Sequence, residues 1–354
     1  MPGVVVKIGT SSLTNDDGVI DGSVIERVCE QVASLRESGV EVTIVTSGAI
    51  AAGMPVMGIA AADRPTDTVT LQALSAIGQP ALVTEWGNAL ASHGLSMGQI
   101  LLAPHNFGHR RQYLHARSTL QRLQQLGIVP LINENDAVTD AEVRYGDNDR
   151  IGALVATLVE ADTLILLTDT DGVLTADPRL DPAASLIDEI IDFDQQLEAR
   201  AGGAGSARGS GGMASKITAA KIAAWSGVRT VIANAERADV IIDAIKEGSG
   251  VGTVVQPRSE VLSARKLWIG FAMPSQGTLH VDAGALNALS SGGKSLLSVG
   301  ITSAEGSFER GDAVDVAGPY GTVFAKGLVR ASSSEFTNGS VSLMIHVDDL
   351  VIIA

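Results

Sequence analysis

The sequence predicts an α/β fold: a mainly parallel sheet with helices on both faces, followed by a smaller unit of short β-strands. Three observations predict it. Over roughly the first 250 residues, short β-branched runs alternate with longer amphipathic stretches, a pattern that calls for crossover connections. The alternation stops around Gly248–Gly252 and Pro257, and beyond Trp268 the segments are short and separated by turn signals such as Arg310-Gly311-Asp312 and Gly318-Pro319-Tyr320-Gly321. The chain has 354 residues, more than the ~100–200 of a typical domain, so two domains are expected.

The elements follow in order. Strands are expected at Val4–Ile8, Val42–Val45, Met97–Leu102, Ile128–Ile132, Leu164–Leu167 and 228–233. Helices are expected at 22–38, where Val24, Val28, Val32 and Leu35 fall near helical spacing, and at 68–93, 110–126, 148–160, 213–226 and 236–246. The last ~80 residues read as a compact, barrel-like β unit.

Composition narrows the class. Hydrophobic residues make up 45%, but aromatics only 3%, so Ala, Val, Ile and Leu must build the cores. Net charge is −15, which disfavours non-specific nucleic-acid binding. Residues 260–354 carry six basic and nine acidic side chains, a net −3, leaving −12 for the first domain. The single cysteine, Cys29, excludes an intrachain disulfide and a cysteine zinc site, and fits a reducing compartment. The start, MPGVVVKIGT, lacks the regions of a signal peptide, and no run of ~18 apolar residues occurs. A cytoplasmic protein without a membrane span is expected.

Five segments carry chemistry. Lys7-Ile8-Gly9-Thr10-Ser11-Ser12 closes the first strand, where ligands of open α/β sheets bind; it is not a Walker loop, and it reads equally as an ordinary turn. Thr46–Gly53 opens a helix with small residues that expose N–H groups to an anion, or Ser47 simply caps that helix. Asn133-Glu134-Asn135-Asp136, and Gly146-Asp147-Asn148-Asp149 after an expected hairpin over 137–146, suit a polar zwitterion. There Asp136 would face an ammonium group, and Asn148 can donate and accept. The same carboxylates could hold a metal, or the acids could cap a helix. Leu166–Gly172 and Asp177-Pro178-Arg179 follow a buried strand: Asp169 could orient lysines or contact a nucleotide, while Asp171-Gly172 reads as a turn. Finally, Gly209-Ser210-Gly211-Gly212-Met213-Ala214-Ser215-Lys216 opens a patterned helix and has the composition of a phosphate-binding loop; six of the 39 glycines fall between Gly202 and Gly212.

Taken together, VVVKIGTSSLT, VTSGAIAAG, INENDAV, GDND, LLTDTDGVLTADPR and GSGGMASK resemble the amino-acid kinase family, in its branch acting on glutamate. They cover about residues 4–220. Gly277, Asp282, Gly284-Ala285, Ser295-Leu296-Leu297, Gly300-Ile301, Phe308, Gly311-Asp312 and Gly327 resemble a PUA domain more weakly. The resemblance implies a three-layer α/β/α sandwich at 1–258, a linker at 259–274 and a PUA domain at 275–354. It implies ATP-dependent phosphorylation of the γ-carboxylate of L-glutamate, with Mg²⁺, at the start of proline synthesis. Lys7 and Lys216 would be catalytic, and Ser47, Asp136 and Asn148 would bind glutamate. Lys7, Gly9, Thr168, Asp169, Ser210, Gly211, Gly212, Met213, Ala214, Ser215 and Lys216 would bind ATP. Ser210 and Ser215 stand where many members carry threonine, which preserves the hydroxyl. Asp149 would orient a lysine, assist substrate binding or cap its helix. No protein metal ligands are assigned.

The resemblance further implies a homodimer or tetramer and feedback inhibition by proline. Rival acceptors within the family are acetylglutamate, aspartate, carbamate, UMP and isopentenyl phosphate; the INENDAV and GDND pair argues for free glutamate. RNA binding by the C-terminal unit is disfavoured, because its positives Arg265, Lys266, Lys294, Arg310, Lys326 and Arg330 form no dense stripe. His93, His105, His109, His115, His280 and His346 show no ligand spacing. His105–His115 with Arg110 and Arg111 reads as a solvated helix start or a subunit contact.

Overall fold

The computed structural model describes residues 2–138, 148–176, 181, 183–191, 193, 212–246, 250–337 and 341–353. Gly146, Asp147, Asp177, Pro178, Arg179, Gly209, Ser210 and Gly211, all singled out above, lie outside these residues. Two compact units divide the chain: Met1–Pro104 with Leu114–Val261, and His105–Tyr113 with Leu262–Ala354.

The first unit is built on a sheet of β1 (Gly3–Ile8), β2 (Glu41–Val45), β3 (Met97–Leu102), β4 (Val129–Glu134), β5 (Thr163–Thr168), β6 (Glu189–Ile190), β7 (Arg229–Asn234) and β8 (Thr253–Val255). Among the described residues the order is β3-β4-β2-β1-β5-β7-β8-β6. All pairings are parallel except β7 with β8. β1, β4 and β5 are buried along their whole length, as strands covered on both faces must be.

Side-chain alternation along β1 explains the layers. Val4, Val6 and Ile8 join one core with Val28, Cys29 and Val32 of the helix Gly22–Glu37, Leu82 and Trp86 of the helix Thr68–Ser92, and Ile241 of the helix Val240–Ile245. Lys7 points the other way, toward the face covered by the helix Asn148–Leu158. The helix Met213–Trp225 packs beside that one. The result is the expected α/β/α sandwich. The strands expected from sequence appear within two residues of their predicted ends. β8 was missed because three residues beside a glycine are too short to show a period. The expected helix at 236–246 shortens to Val240–Ile245, since Asp239 adopts φ 53° and starts it late.

Two helices of this unit meet backbone to backbone. A Cβ at Gly78, in the helix Thr68–Ser92, would lie 2.0 Å from the Ala49 carbonyl oxygen and 2.2 Å from the Gly53 nitrogen. A Cβ at Gly53 would lie 2.1 Å from the Leu74 carbonyl oxygen. Only glycine at both positions lets the helix Ala49–Val56 and the helix Thr68–Ser92 come this close.

The second unit contains a six-stranded sheet of β9 (Ser275–Val281), β10 (Leu296–Leu297), β11 (Ile301–Gly306), β12 (Ala313–Ala317), β13 (Val323–Val329) and β14 (Leu343–Ile352), ordered β10-β14-β13-β12-β9-β11. Its core gathers Leu279, Phe308, Val314, Val316, Met344 and Ile345. Residues 259–274, read above as a linker, contain the helical turns Ala264–Leu267 and Trp268–Ala272, with Leu267, Ile269 and Ala272 buried. Phe107 is buried in the same unit, and its carbonyl accepts from Trp268 Nε1 at 2.5 Å. Residues 105–113, read from sequence as a helix start or subunit contact, group instead with the C-terminal strands. Among the described residues, no helix is long and apolar enough to cross a membrane.

Candidate active site

The carboxyl ends of β4, β2, β1 and β5 lie side by side, and each carries one predicted segment. Three strand spacings separate β4 from β5, roughly 14 Å, enough for two ligands in a row.

Over β1 lies a buried charge cluster. Lys7 is held by alternation on the face of the helix Asn148–Leu158, and Asp149 stands in that helix's first turn, where the dipole favours a carboxylate. Lys7 Nζ lies 2.6 Å from Asp149 Oδ1, and Lys216 Nζ lies 3.4 Å from Oδ2. Ser215 Oγ donates to the same Oδ2 at 2.5 Å. Asp149 is 0% exposed, Lys7 3% and Lys216 5%. Burial would raise the Asp149 pKa, but the two ammoniums and the hydrogen bonds from Lys7 and Ser215 outweigh it and hold the group at about 2. Two ammonium groups and a hydroxyl thus converge on one buried carboxylate. Gly9 sits against it: a Cβ there would lie 3.4 Å from Lys7 Nζ. The structure thus brings both lysines onto one carboxylate.

Over β2 and β4 lies a network of amides and hydroxyls, with the Asp136 carboxylate at its edge. Asn148 Nδ2 donates to Ser47 Oγ at 3.0 Å and to Asn133 Oδ1 at 3.1 Å. The Glu134 N–H donates to Asn133 Oδ1 at 2.8 Å and to Asn148 Oδ1 at 3.2 Å. Asn133 Nδ2 donates to Gln79 Oε1 at 2.8 Å, and Ser75 Oγ donates to Asp136 Oδ2 at 3.0 Å. Burial raises the Asp136 pKa, against the Ser75 hydrogen bond and the Arg64 charge. Ser47 is not the helix cap: Gly48 occupies that position with φ 104°, a conformation that favours glycine, and leaves the Ser47 hydroxyl to Asn148. Behind it, Trp86 Nε1 donates to Thr46 Oγ1 at 3.1 Å, fixing the end of β2.

At the end of β5, Thr168 is buried and Asp169 exposed, and Thr168 Oγ1 donates to Asp169 Oδ1 at 3.2 Å. Gly212 precedes the helix Met213–Trp225, with Met213, Ala214, Ser215 and Lys216 in its first turn; Ser215 Oγ also donates to the Gly212 carbonyl. Ser210 and Gly211 lie outside the described residues.

Sequence reasoning missed Ser75, Gln79 and Trp86. The signal for the first two was present: two polar residues four apart, flanking Gly78, on one face of a largely apolar helix. Cys29 is not a nucleophile, because burial, with Glu26 nearby, pushes its thiol up to about 12.

Two lysines on a buried carboxylate stand beside a network of amides and hydroxyls at the carboxyl edge of a mainly parallel sheet. The chain belongs to the amino acid kinase family, whose model matches residues 2–234, and a PUA domain model matches residues 277–341. A glutamate 5-kinase of Burkholderia multivorans is 46% identical over 332 residues, covering 94% of this chain and 88% of its own. One from Pseudomonas putida is 47% identical over 331 residues, with the same two coverages. At this identity and coverage the chain is a member of the glutamate 5-kinase family. A solved isopentenyl phosphate kinase is similar in fold, with a TM-score of 0.50 and 21% identity over 72% of this chain and 100% of that one.

Proposed function

We propose that the two networks are the donor and acceptor halves of one site, which transfers the γ-phosphoryl group of ATP to the γ-carboxylate of L-glutamate and forms L-glutamyl 5-phosphate, the first step toward proline. The observation that carries this reading is the convergence of Lys7 and Lys216 on buried Asp149, between the amide network and Thr168-Asp169.

The nucleophile needs no general base. A glutamate side chain has a reference pKa of ~4.3 and is ionised at neutral pH. The difficulty is bringing one anion up to another, so catalysis reduces to neutralising charge and aligning the attack. Asp149 sets both lysines in one place, and their ammonium groups would face the transferring phosphoryl group. Lys7, Gly9, Thr168, Asp169 and Gly212–Lys216 would contact ATP, with Ser210 and Gly211 assigned to the same loop. Ser47, Asn148 and Asp136 would orient glutamate, with Asp136 facing its ammonium group.

The donor set fits a Mg²⁺ ion that arrives on the nucleotide. Both Asp149 oxygens are already engaged, and among the described residues no cluster of three His, Cys, Asp or Glu forms a dedicated cage. When bound, the ion supplies charge neutralisation at the phosphates. A cytoplasmic homo-oligomer, dimer or tetramer, regulated by proline belongs to the same reading. The C-terminal segment 260–354, net −3, is assigned to assembly or regulation rather than RNA binding.

The test is ATP turnover with L-glutamate, acetylglutamate, aspartate, carbamate, UMP and isopentenyl phosphate, with and without proline. The acyl phosphate can be trapped as a hydroxamate. Glutamate is expected to be the preferred acceptor, and turnover with UMP but not glutamate would reject the reading.

A further inference from the structure

We propose that Ser75 and Gln79, on one face of the helix Thr68–Ser92, are positioning residues for the acceptor: Ser75 sets the carboxylate of Asp136, and Gln79 sets the amide chain Asn133–Asn148–Ser47. This rests on the glutamate kinase reading and adds two residues that it does not contain.

The argument starts from amide chemistry. A carboxamide has one accepting end and one donating end, so its orientation is decided by its neighbours. Gln79 Oε1 takes the Asn133 Nδ2 donor at 2.8 Å. Asn133 must then turn Oδ1 toward the Glu134 N–H and Asn148 Nδ2, at 2.8 and 3.1 Å. Asn148 in turn presents Nδ2 to Ser47 Oγ and Oδ1 to the Glu134 N–H. Reversing Asn133 would place its Nδ2 against Asn148 Nδ2, donor against donor. The Glu134 N–H can only donate and so sets the polarity, and Gln79 holds the Asn133 end of a chain that ends at two predicted glutamate contacts.

Gln79 Nε2 is buried without a hydrogen-bond partner among the described residues, so the bond to Asn133 runs through Oε1. Ser75 is 4% exposed and donates to Asp136, the carboxylate predicted to face the ammonium group. Both side chains reach the β4 exit only because Gly78 lets their helix touch the helix Ala49–Val56. One helix thereby registers Asp136 and Asn133 against the turn that carries Ser47 and Gly48.

The experiment measures kcat and both KM values of the full chain for the wild type, Gln79→Met and Ser75→Ala. It adds the double variants Gln79→Met/Asn133→Ala and Ser75→Ala/Asp136→Asn beside their parent single variants, with melting temperatures throughout. Each of Gln79→Met and Ser75→Ala is expected to raise the glutamate KM about tenfold, with kcat and the ATP KM within about threefold. If the residues act through their partners, each double variant is no worse than Asn133→Ala or Asp136→Asn alone. Additive doubles would overturn the proposal, as would an equal rise in both KM values with a fall in melting temperature. Ser75→Ala, which removes one atom, keeps the test open if Gln79→Met does not fold. A wild type that ignores glutamate would sink the functional reading and this inference together; a normal wild type with unchanged variants would sink only the inference.

Discussion

Lys7, Asp149 and Lys216 place three full charges where almost no solvent reaches, whereas Ser47, Asn133, Asn148 and Gln79, on the neighbouring strands and the helix behind them, hold none. The first group is held by attraction between opposite charges and loses its worth when one partner is removed. The second is held by directional hydrogen bonds, whose value lies in orientation rather than in total energy. The difference suits the two ligands of the proposed reaction. A polyphosphate needs net positive charge and is tolerant of direction. An amino acid needs its ammonium and carboxylates told apart, and a fixed pattern of donors and acceptors does that.

Substitutions can break this contrast, and the largest effect is expected at Asp149. Asp149→Asn removes the carboxylate on which two buried ammoniums converge and should cost about 3–5 kcal/mol of stability, read from denaturant unfolding. A loss below about 1 kcal/mol would mean that water or another group already balances the lysines. The wild type carries the same signature in its pH dependence. The folded pKa of Asp149, about 2, lies below the ordinary value, so its stabilisation is complete above pH ~4 and disappears as pH falls toward 2.

Next in size is Lys216→Ala, expected to lower kcat by ~10²–10³, or about 2.7–4 kcal/mol, with a much smaller change in the glutamate KM. Near-normal turnover would remove Lys216 from the chemistry. Gly78→Ala probes what positions the neutral network. Its Cβ must push the two helices apart, so about 1–3 kcal/mol of stability and a weaker glutamate KM should be lost together. Full retention of both would show that the helix contact is not needed.

The smallest expected effect sharpens the comparison rather than breaking it. Asp136→Asn should raise the glutamate KM about tenfold and leave kcat nearly intact. Because burial raises the Asp136 pKa, with Ser75 and Arg64 opposing, the wild-type glutamate kcat/KM should fall with acid at a pH above the ordinary aspartate range. That limb should vanish in the variant, and its persistence would assign the titration elsewhere.

Much of this was legible before folding. The β1 run and its glycine end, the small residues after β2 and the glycine-rich loop before Lys216 each have a local signature, because strand ends and helix starts are governed by near neighbours in the chain. The role of Asp149 was not. Its sequence context reads equally as a helix cap, and only the approach of Lys7 and Lys216, 142 and 67 residues away, makes it a bridge. Gln79 and Ser75 were hidden for the same reason, being ordinary residues in a long helix until Asn133 and Asp136 meet them.

The order of elements and the change from an α/β unit to a β-rich one were thus written in the local pattern of residues. Periodicity and turn chemistry act over a few residues and can be read along one chain. Pairing, polarity and depth were settled in three dimensions: which carboxylate serves both lysines, which way each amide faces, and how near two helices come at Gly53 and Gly78. Those are contacts between distant residues, and hydrogen bonds and ion pairs acquire their direction and strength only when burial has removed the water that would otherwise compete.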